Sequence, residues 1–137
     1  MDDALRGKVI VVVEDEPEIG QLVKLALEDE GGSAFWAGDG RSAIRLTEKV
    51  RPHLMLLDAM LPDVDGPTIG RAVHDRYGDG VPIVVYSAVD PEQIARVAAD
   101  VDATSYLTKP FELDDLLATV RDGLAEEERR RARLGAS

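Results

Sequence analysis

Five side chains of this chain stand where short apolar runs end. Glu14 and Asp15 follow Val9-Ile10-Val11-Val12-Val13, and Asp58 follows Leu54-Met55-Leu56-Leu57. Ser87 follows Ile83-Val84-Val85-Tyr86, and Lys109 comes two residues after Leu107. Each has a plain structural reading. Acidic residues after a strand cap the next helix, a serine there is a turn residue, and a lysine before proline is a solvated loop charge. Asp58 fits its plain reading least, because no helix starts directly after it and its run is apolar enough to lie mid-sheet. A carboxylate in that position is costly without a partner, and two more carboxylates beside it resist joint ionisation. A divalent cation relieves that repulsion, and an all-oxygen donor set without histidine or cysteine suits magnesium. With an ammonium and a hydroxyl added, the group has what a phosphoryl moiety requires.

Convergence of these residues depends on the elements that carry them. Val9 to Val13 is apolar at every position, the signature of a strand covered on both faces. Pro17 suits the first turn of a helix, apolar residues from Ile19 to Leu27 follow at roughly helical spacing, and Gly31-Gly32 stops it. Ala34 to Ala37 reads as a second strand, followed by a helix around Ser42 to Val50. A third strand from His53 ends at Asp58, residues 59–65 read as an irregular loop, and Gly66-Pro67 opens a helix to about Tyr77. Pro82 to Tyr86 is the fourth strand, and Asp90-Pro91 starts the fourth helix with a cap and a proline at its first position. Thr104 to Leu107 is the fifth strand. A last helix from near Glu112 carries Leu113, Leu116, Leu117, Val120 and Leu124 on one face. Five strand–helix alternations predict an α/β fold, a doubly wound five-stranded parallel sheet with helices on both faces. Right-handed crossovers make 2-1-3-4-5, the flavodoxin-like order, the expected strand order. Ligands in such sheets bind beyond the carboxyl ends of the strands, where strands 1 and 3 diverge.

Composition narrows the function classes. The 137 residues carry 16 basic and 27 acidic side chains, a net charge of −11 that repels phosphate backbones and argues against direct nucleic-acid or anionic-membrane binding. No cysteine is present, which removes thiolate metal sites, disulfides and a cysteine nucleophile. No apolar run approaches membrane-spanning length, so the expected setting is the cytoplasm. Asp63-Val64-Asp65-Gly66 has the look of a calcium loop, but Leu61 and Ala72 stand where its first and twelfth ligands would be. Gly-rich nucleotide loops and a G-x-S-x-G elbow are missing. His53, at a strand start, and His74, on a polar helix face, have no partner at ligand spacing and read as structural.

Four segments, in this order and spacing, carry a family resemblance: Val11-Val12-Val13-Glu14-Asp15-Glu16-Pro17, the stretch from Leu56-Leu57-Asp58 through Asp65-Gly66, Val84-Val85-Tyr86-Ser87-Ala88, and Tyr106-Leu107-Thr108-Lys109-Pro110-Phe111. Over about residues 6 to 125 the chain resembles the receiver domain of two-component response regulators. The resemblance implies a receiver unit over residues 1–125 and a charged helical extension or tail over residues 126–137. It implies that Asp58 accepts a phosphoryl group from a sensor histidine kinase or phosphotransfer protein, as a carboxylate nucleophile. Asp15, Asp58 and the backbone carbonyl of Met60 would hold magnesium, with Glu14 acting mainly through a bound water. Lys109 would pair with phosphoryl oxygens, Ser87 would bond one of them, and Tyr106 would turn inward as Ser87 is recruited. Lys109-Pro110 would be a cis peptide.

Two departures stand out: Glu14-Asp15 where two aspartates are usual, and Asp102-Ala103 where glycine-alanine is common. Met60 and Val89 flank the phosphoryl position and are both apolar, which predicts slow self-dephosphorylation. Family analogy assigns partner binding or homodimerisation to the surface of the fourth helix, fifth strand and last helix. In the tail, Glu126 with Arg130 and Glu127 with Arg131 are spaced for helical ion pairs. The tail reads as a solvated helix end or as a connector to an output domain. The chain thus reads as a signalling module rather than an enzyme turning over a metabolite. Two alternatives stay open: a magnesium-dependent phosphohydrolase with an aspartyl-phosphate intermediate, and an interaction module that keeps the fold without phosphorylation.

Overall fold

A computed structural model describes residues 4–61, 63–87, 90–101, 103, 105–108 and 110–135. Five strands alternate with five helices: β1 (Val9–Val13), α1 (Pro17–Asp29), β2 (Ser33–Ala37), α2 (Gly40–Lys49), β3 (Leu54–Asp58), α3 (Gly66–Tyr77), β4 (Ile83–Ser87), α4 (Pro91–Asp100), β5 (Ser105–Thr108) and α5 (Leu113–Gly135). All pairings are parallel, and the sheet order is β2-β1-β3-β4-β5, as the alternation predicts. Element limits differ from the sequence reading by a residue or two. Asp58 and Ser87 fall inside their strands as last residues, and α2 begins at Gly40. The expected first residue of the fifth strand, Thr104, lies outside the described residues.

Alternation of side chains splits the core into two layers. On one face Ile10, Val12, Leu54, Leu56, Val84 and Tyr86 pack under Val23 and Leu27 of α1 and Leu116, Val120 and Leu124 of α5. On the other, Val11, Val13, Met55, Leu57, Ile83 and Val85 pack under Ala43, Ile69, Val73, Ile94 and Ala98 of α2, α3 and α4. Strands β3 and β4 are buried at every position, whereas β5 alternates between half-buried and exposed at the sheet edge. Burying a leucine of β3 removes enough apolar surface to be worth about 2 kcal/mol. The two central strands are therefore a rigid base for what stands at their ends.

Helix starts lock the loops at the carboxyl edge. Asp39, Asp65 and Asp90 are N-caps whose carboxylates accept from Ser42 N (2.7 Å), Thr68 N (2.8 Å) and Gln93 N (3.0 Å). Asp63 reaches from the β3–α3 loop and takes the first two N–H groups of α2, Gly40 N at 2.9 Å and Arg41 N at 3.1 Å. Helix α1 starts differently: Glu16 is its N-cap without a side-chain capping bond, and Pro17 follows. Its other end closes at Gly31, whose φ of +95° favours glycine.

At the opposite edge, His53 Nδ1 accepts from Val9 N at 2.9 Å, which bears out its structural reading. Burial, then the nearby Lys8 ammonium, hold this imidazole below its ordinary pKa. Helix α5 runs through residue 125 without a break. Residues 128–134 are exposed, but Glu127 is buried and pairs with Arg131 at 2.6 Å, while Lys8 binds Glu128 at 2.6 Å. Glu126 pairs with Arg129, three residues on, at 2.8 Å.

Candidate phosphoacceptor and cation site

Strand ends β1, β3 and β4 place acidic residues, a serine and a tyrosine along one edge of the sheet, though Asp58 is not a member of the close carboxylate group that follows β1. Glu14 leaves β1 fully buried, held by its own N–H to Ala37 O at 3.0 Å and by Trp36 Nε1, which donates to Glu14 O at 2.8 Å. One carboxylate oxygen of Glu14 accepts from Glu16 N at 3.2 Å. The polypeptide thus folds tightly around the Glu14 side chain. Oxygens of Glu14, Asp15 and Glu16 lie within 4.8 Å of one another, with Glu14 buried and the other two exposed. Three mutually close carboxylate oxygens are a hard, anionic donor set that fits a small divalent cation. Glu16 is a member that motif reasoning did not assign, although it stands in the quoted acidic run. As the N-cap of α1 it makes no side-chain capping bond.

Asp58 ends β3 at 3% exposure, one strand away from Glu14. Its Oδ1 accepts from Met60 N at 2.9 Å, so the chain turns back over the carboxylate immediately after the strand. Ala59 N donates to Tyr86 O at 3.0 Å and extends the sheet's register one residue past Asp58. The Met60 side chain is 60% exposed and faces solvent rather than the core. Ser87 is completely buried at the end of β4. Tyr106, paired in register with Val85, lies on the same sheet face as Ser87 and is 47% exposed. Lys109 and its peptide bond to Pro110, Val89, and the motif residues Pro62, Ala88 and Asp102 lie outside the described residues.

Tyr86 is the residue whose place at the site sequence reasoning missed. It is the register partner of Asp58, and alternation puts it on the face shared by Glu14 and Asp58. Burial, then the charge of Glu14, then the charges of Asp58 and Asp15, hold its phenol far above the ordinary tyrosine range. One signal was available. A tyrosine inside a strand buried on both faces must bring its hydroxyl to a polar partner, and the polar groups there are at the strand ends.

Comparison with known proteins agrees with this architecture. A family model described as the response regulator receiver domain matches residues 10–121. Among solved structures, a CheY-like response regulator receiver domain protein from Methanospirillum hungatei JF-1 superposes with a TM-score of 0.83 at 25% identity, over 90% of this chain and 98% of that one. The receiver domain of the Francisella response regulator 1452 matches with a TM-score of 0.78 at 26% identity, over 88% of this chain and 98% of that one. NtrX from Brucella abortus matches with a TM-score of 0.87 at 27% identity, over 95% of this chain but 29% of its own length.

Proposed function

The chain belongs to the response regulator receiver family, and on that premise we propose that it accepts a phosphoryl group on Asp58 and signals that event through Ser87 and Tyr106. The observation that carries this reading is a buried aspartate at the end of a central strand, beside a carboxylate cluster on the neighbouring strand. Nothing about Asp58 is needed for the core, where a carboxylate is costly. A nucleophilic role accounts for its position.

Asp15 and Asp58, with Glu14 nearby and the Met60 carbonyl, would hold magnesium. When bound, the cation supplies positive charge that neutralises the carboxylates and stabilises charge on the transferred oxygens. The chain's own residues do the rest. Met60 N–H fixes the Asp58 carboxylate through Oδ1, which limits its rotation before attack. A carboxylate oxygen forms a bond to phosphorus as the bond from phosphorus to the donor's imidazole nitrogen breaks, and the imidazole leaves with the electron pair. Lys109 is proposed to balance the phosphoryl charge. Ser87 is proposed to donate its hydroxyl to a phosphoryl oxygen, and this movement draws the exposed Tyr106 ring inward. The surface of α4, β5 and α5 then changes shape for a downstream protein or a second copy of this chain.

The donor is a sensor histidine kinase or phosphotransfer protein, and the expected compartment is the cytoplasm. No described helix is long and apolar enough to cross a membrane. The domain is proposed to assist only its own phosphorylation and hydrolysis. A phosphohydrolase would want an acid two residues after the nucleophile, and that position is the solvent-facing Met60. The unit over residues 1–125 is proposed to carry the chemistry, and residues 126–137 to serve as a helical extension.

Borohydride reduction tests the assignment. After treatment with acetyl phosphate and magnesium, reduction of an acyl phosphate converts its aspartate to homoserine, which peptide mapping should find at Asp58 alone. Conversion at another carboxylate, or turnover of a generic phosphomonoester by a folded protein, would count against the reading.

A further inference from the structure

The β1–β2 ladder closes at the Val13–Ala37 pair, and just past it the Glu14 carbonyl takes its donor from a side chain. Trp36 Nε1 donates to it at 2.8 Å, while the Glu14 N–H reaches Ala37 O at 3.0 Å. Edge strand β2 therefore grips Glu14 through both of its backbone groups. The Glu14 carbonyl and the Asp15 N–H belong to one planar peptide unit, so holding that oxygen fixes the plane that delivers the Asp15 Cα. Glu14, Asp15 and Glu16 are the residues whose carboxylate oxygens lie within 4.8 Å of one another. The clamp thus sits inside the turn that carries them. Trp36 is itself held: it packs against the core layer under α1, and a Cβ on Gly20 would fall 2.4 Å from its Nε1. Glycine at that position leaves the slot for the indole. A half-buried indole N–H needs an acceptor, and for packing alone any nearby carbonyl would serve. The one it takes belongs to the turn on which three carboxylates are kept close against their mutual repulsion.

We propose that Trp36 is a positioning residue whose indole N–H, acting through the Glu14–Asp15 peptide, holds the acidic turn in its cation-binding shape. The proposal rests on the magnesium reading above. Trp36 touches neither phosphorus nor the cation. It is the backbone counterpart of the hydrogen-bond partners that orient ligating side chains at metal sites.

The chain has a single tryptophan, so growth on an analogue replaces Trp36 alone. Benzothienylalanine keeps the bicyclic ring and puts sulfur where the N–H was, whereas fluorotryptophan keeps the N–H. Magnesium is titrated calorimetrically into wild type, both analogue forms and Trp36→Phe, with a thermal melt of each. The expected result is an affinity about tenfold weaker in the benzothienylalanine form and at least as weak in Trp36→Phe, with the fluorotryptophan form unchanged. Phosphorylation by acetyl phosphate should then need about tenfold more magnesium for half-maximal rate, while the rate at saturating magnesium is retained. Affinity within about twofold of wild type in the benzothienylalanine form would overturn the proposal, since a positioning partner is worth about tenfold. If that form does not melt cooperatively, Trp36→Phe is judged by the same thresholds. An equal loss with fluorotryptophan would also overturn the proposal, because it would mark the packing of the ring rather than its N–H. Failure of the wild type itself to bind magnesium would instead remove the cation reading, and the proposal with it.

Discussion

Glu14 and Asp58 are carboxylates withdrawn from water at the ends of adjacent strands, and stability alone does not explain them. Neutralising a buried, closely surrounded charge removes a desolvation penalty. Glu14→Gln should therefore melt no lower than wild type while binding magnesium about tenfold more weakly, as calorimetry would show. A lower melting temperature with unchanged affinity would mean that Glu14 is structural. Met60 leads to a second expectation at this scale. Its apolar side chain stands beside Asp58 where a polar group could guide water, so the phosphorylated form should persist for minutes or longer at neutral pH with magnesium. A half-life of seconds would contradict this. Residue identities and spacing made Asp15, Asp58 and Ser87 legible as candidates, because strand ends are marked by abrupt changes from apolar to polar. Glu16 and Tyr86 were not legible as site residues. Glu16 has the ordinary credentials of a helix start, and Tyr86 sits in an apolar run whose place opposite Asp58 depends on sheet register, which no local pattern encodes.

Elements position the site through a few side chains that cross between them. Asp63 ties the loop after Asp58 to the start of α2, and its two backbone donors, Gly40 N first, hold its carboxyl below the ordinary value of 3.8. A depressed native pKa contributes stability that is present above the unfolded value and is lost as pH falls through the native one. Asp63→Asn should therefore melt a few degrees lower at neutral pH, with a smaller loss on acidification below pH ~4 than wild type. Equal acid dependence in both proteins would show that the clamp carries no linkage. Gly20 provides another cross-element contact, since a Cβ there would fall on the Trp36 indole. Gly20→Ala should cost about 1–3 kcal/mol and shift Trp36 emission, because the indole must leave the Glu14 carbonyl. An unshifted spectrum would mean that α1 moves instead. Helix and strand types were readable from periodicity, and their limits moved by a residue or two because caps and sheet hydrogen bonds, not apolar pattern, set the ends. Helix α5 shows the limit of pattern reading. Its charged end reads as solvated, yet tertiary packing buries Glu127.

Across the whole molecule, the sheet separates two edges with different tasks. The carboxyl edge gathers the acidic site, and the amino edge is held by His53, Lys8 and the end of α5. His53 accepts a backbone N–H and faces Lys8, Arg131, Glu127 and Arg51, with burial the main reason its pKa is lowered from 6.5. The unfolded chain therefore binds this proton more tightly, so the contribution is complete above pH ~6.5 and declines as pH falls below it. His53→Asn should narrow the difference in Tm between pH 7.5 and 5.5, and an unchanged difference would place the pH dependence elsewhere. The strand order followed from five alternations and right-handed crossovers, and that order points to the edge where β1 and β3 diverge as the place of the candidate site. The central claim, that this edge accepts a phosphoryl group on Asp58, is tested most directly by intact-mass spectrometry. Wild type and Asp58→Asn would be incubated with acetyl phosphate, with and without magnesium. The account predicts one added phosphoryl mass on the wild type only, and only with magnesium. The same mass on folded Asp58→Asn, or none on a wild type that also fails to bind beryllofluoride, would contradict it.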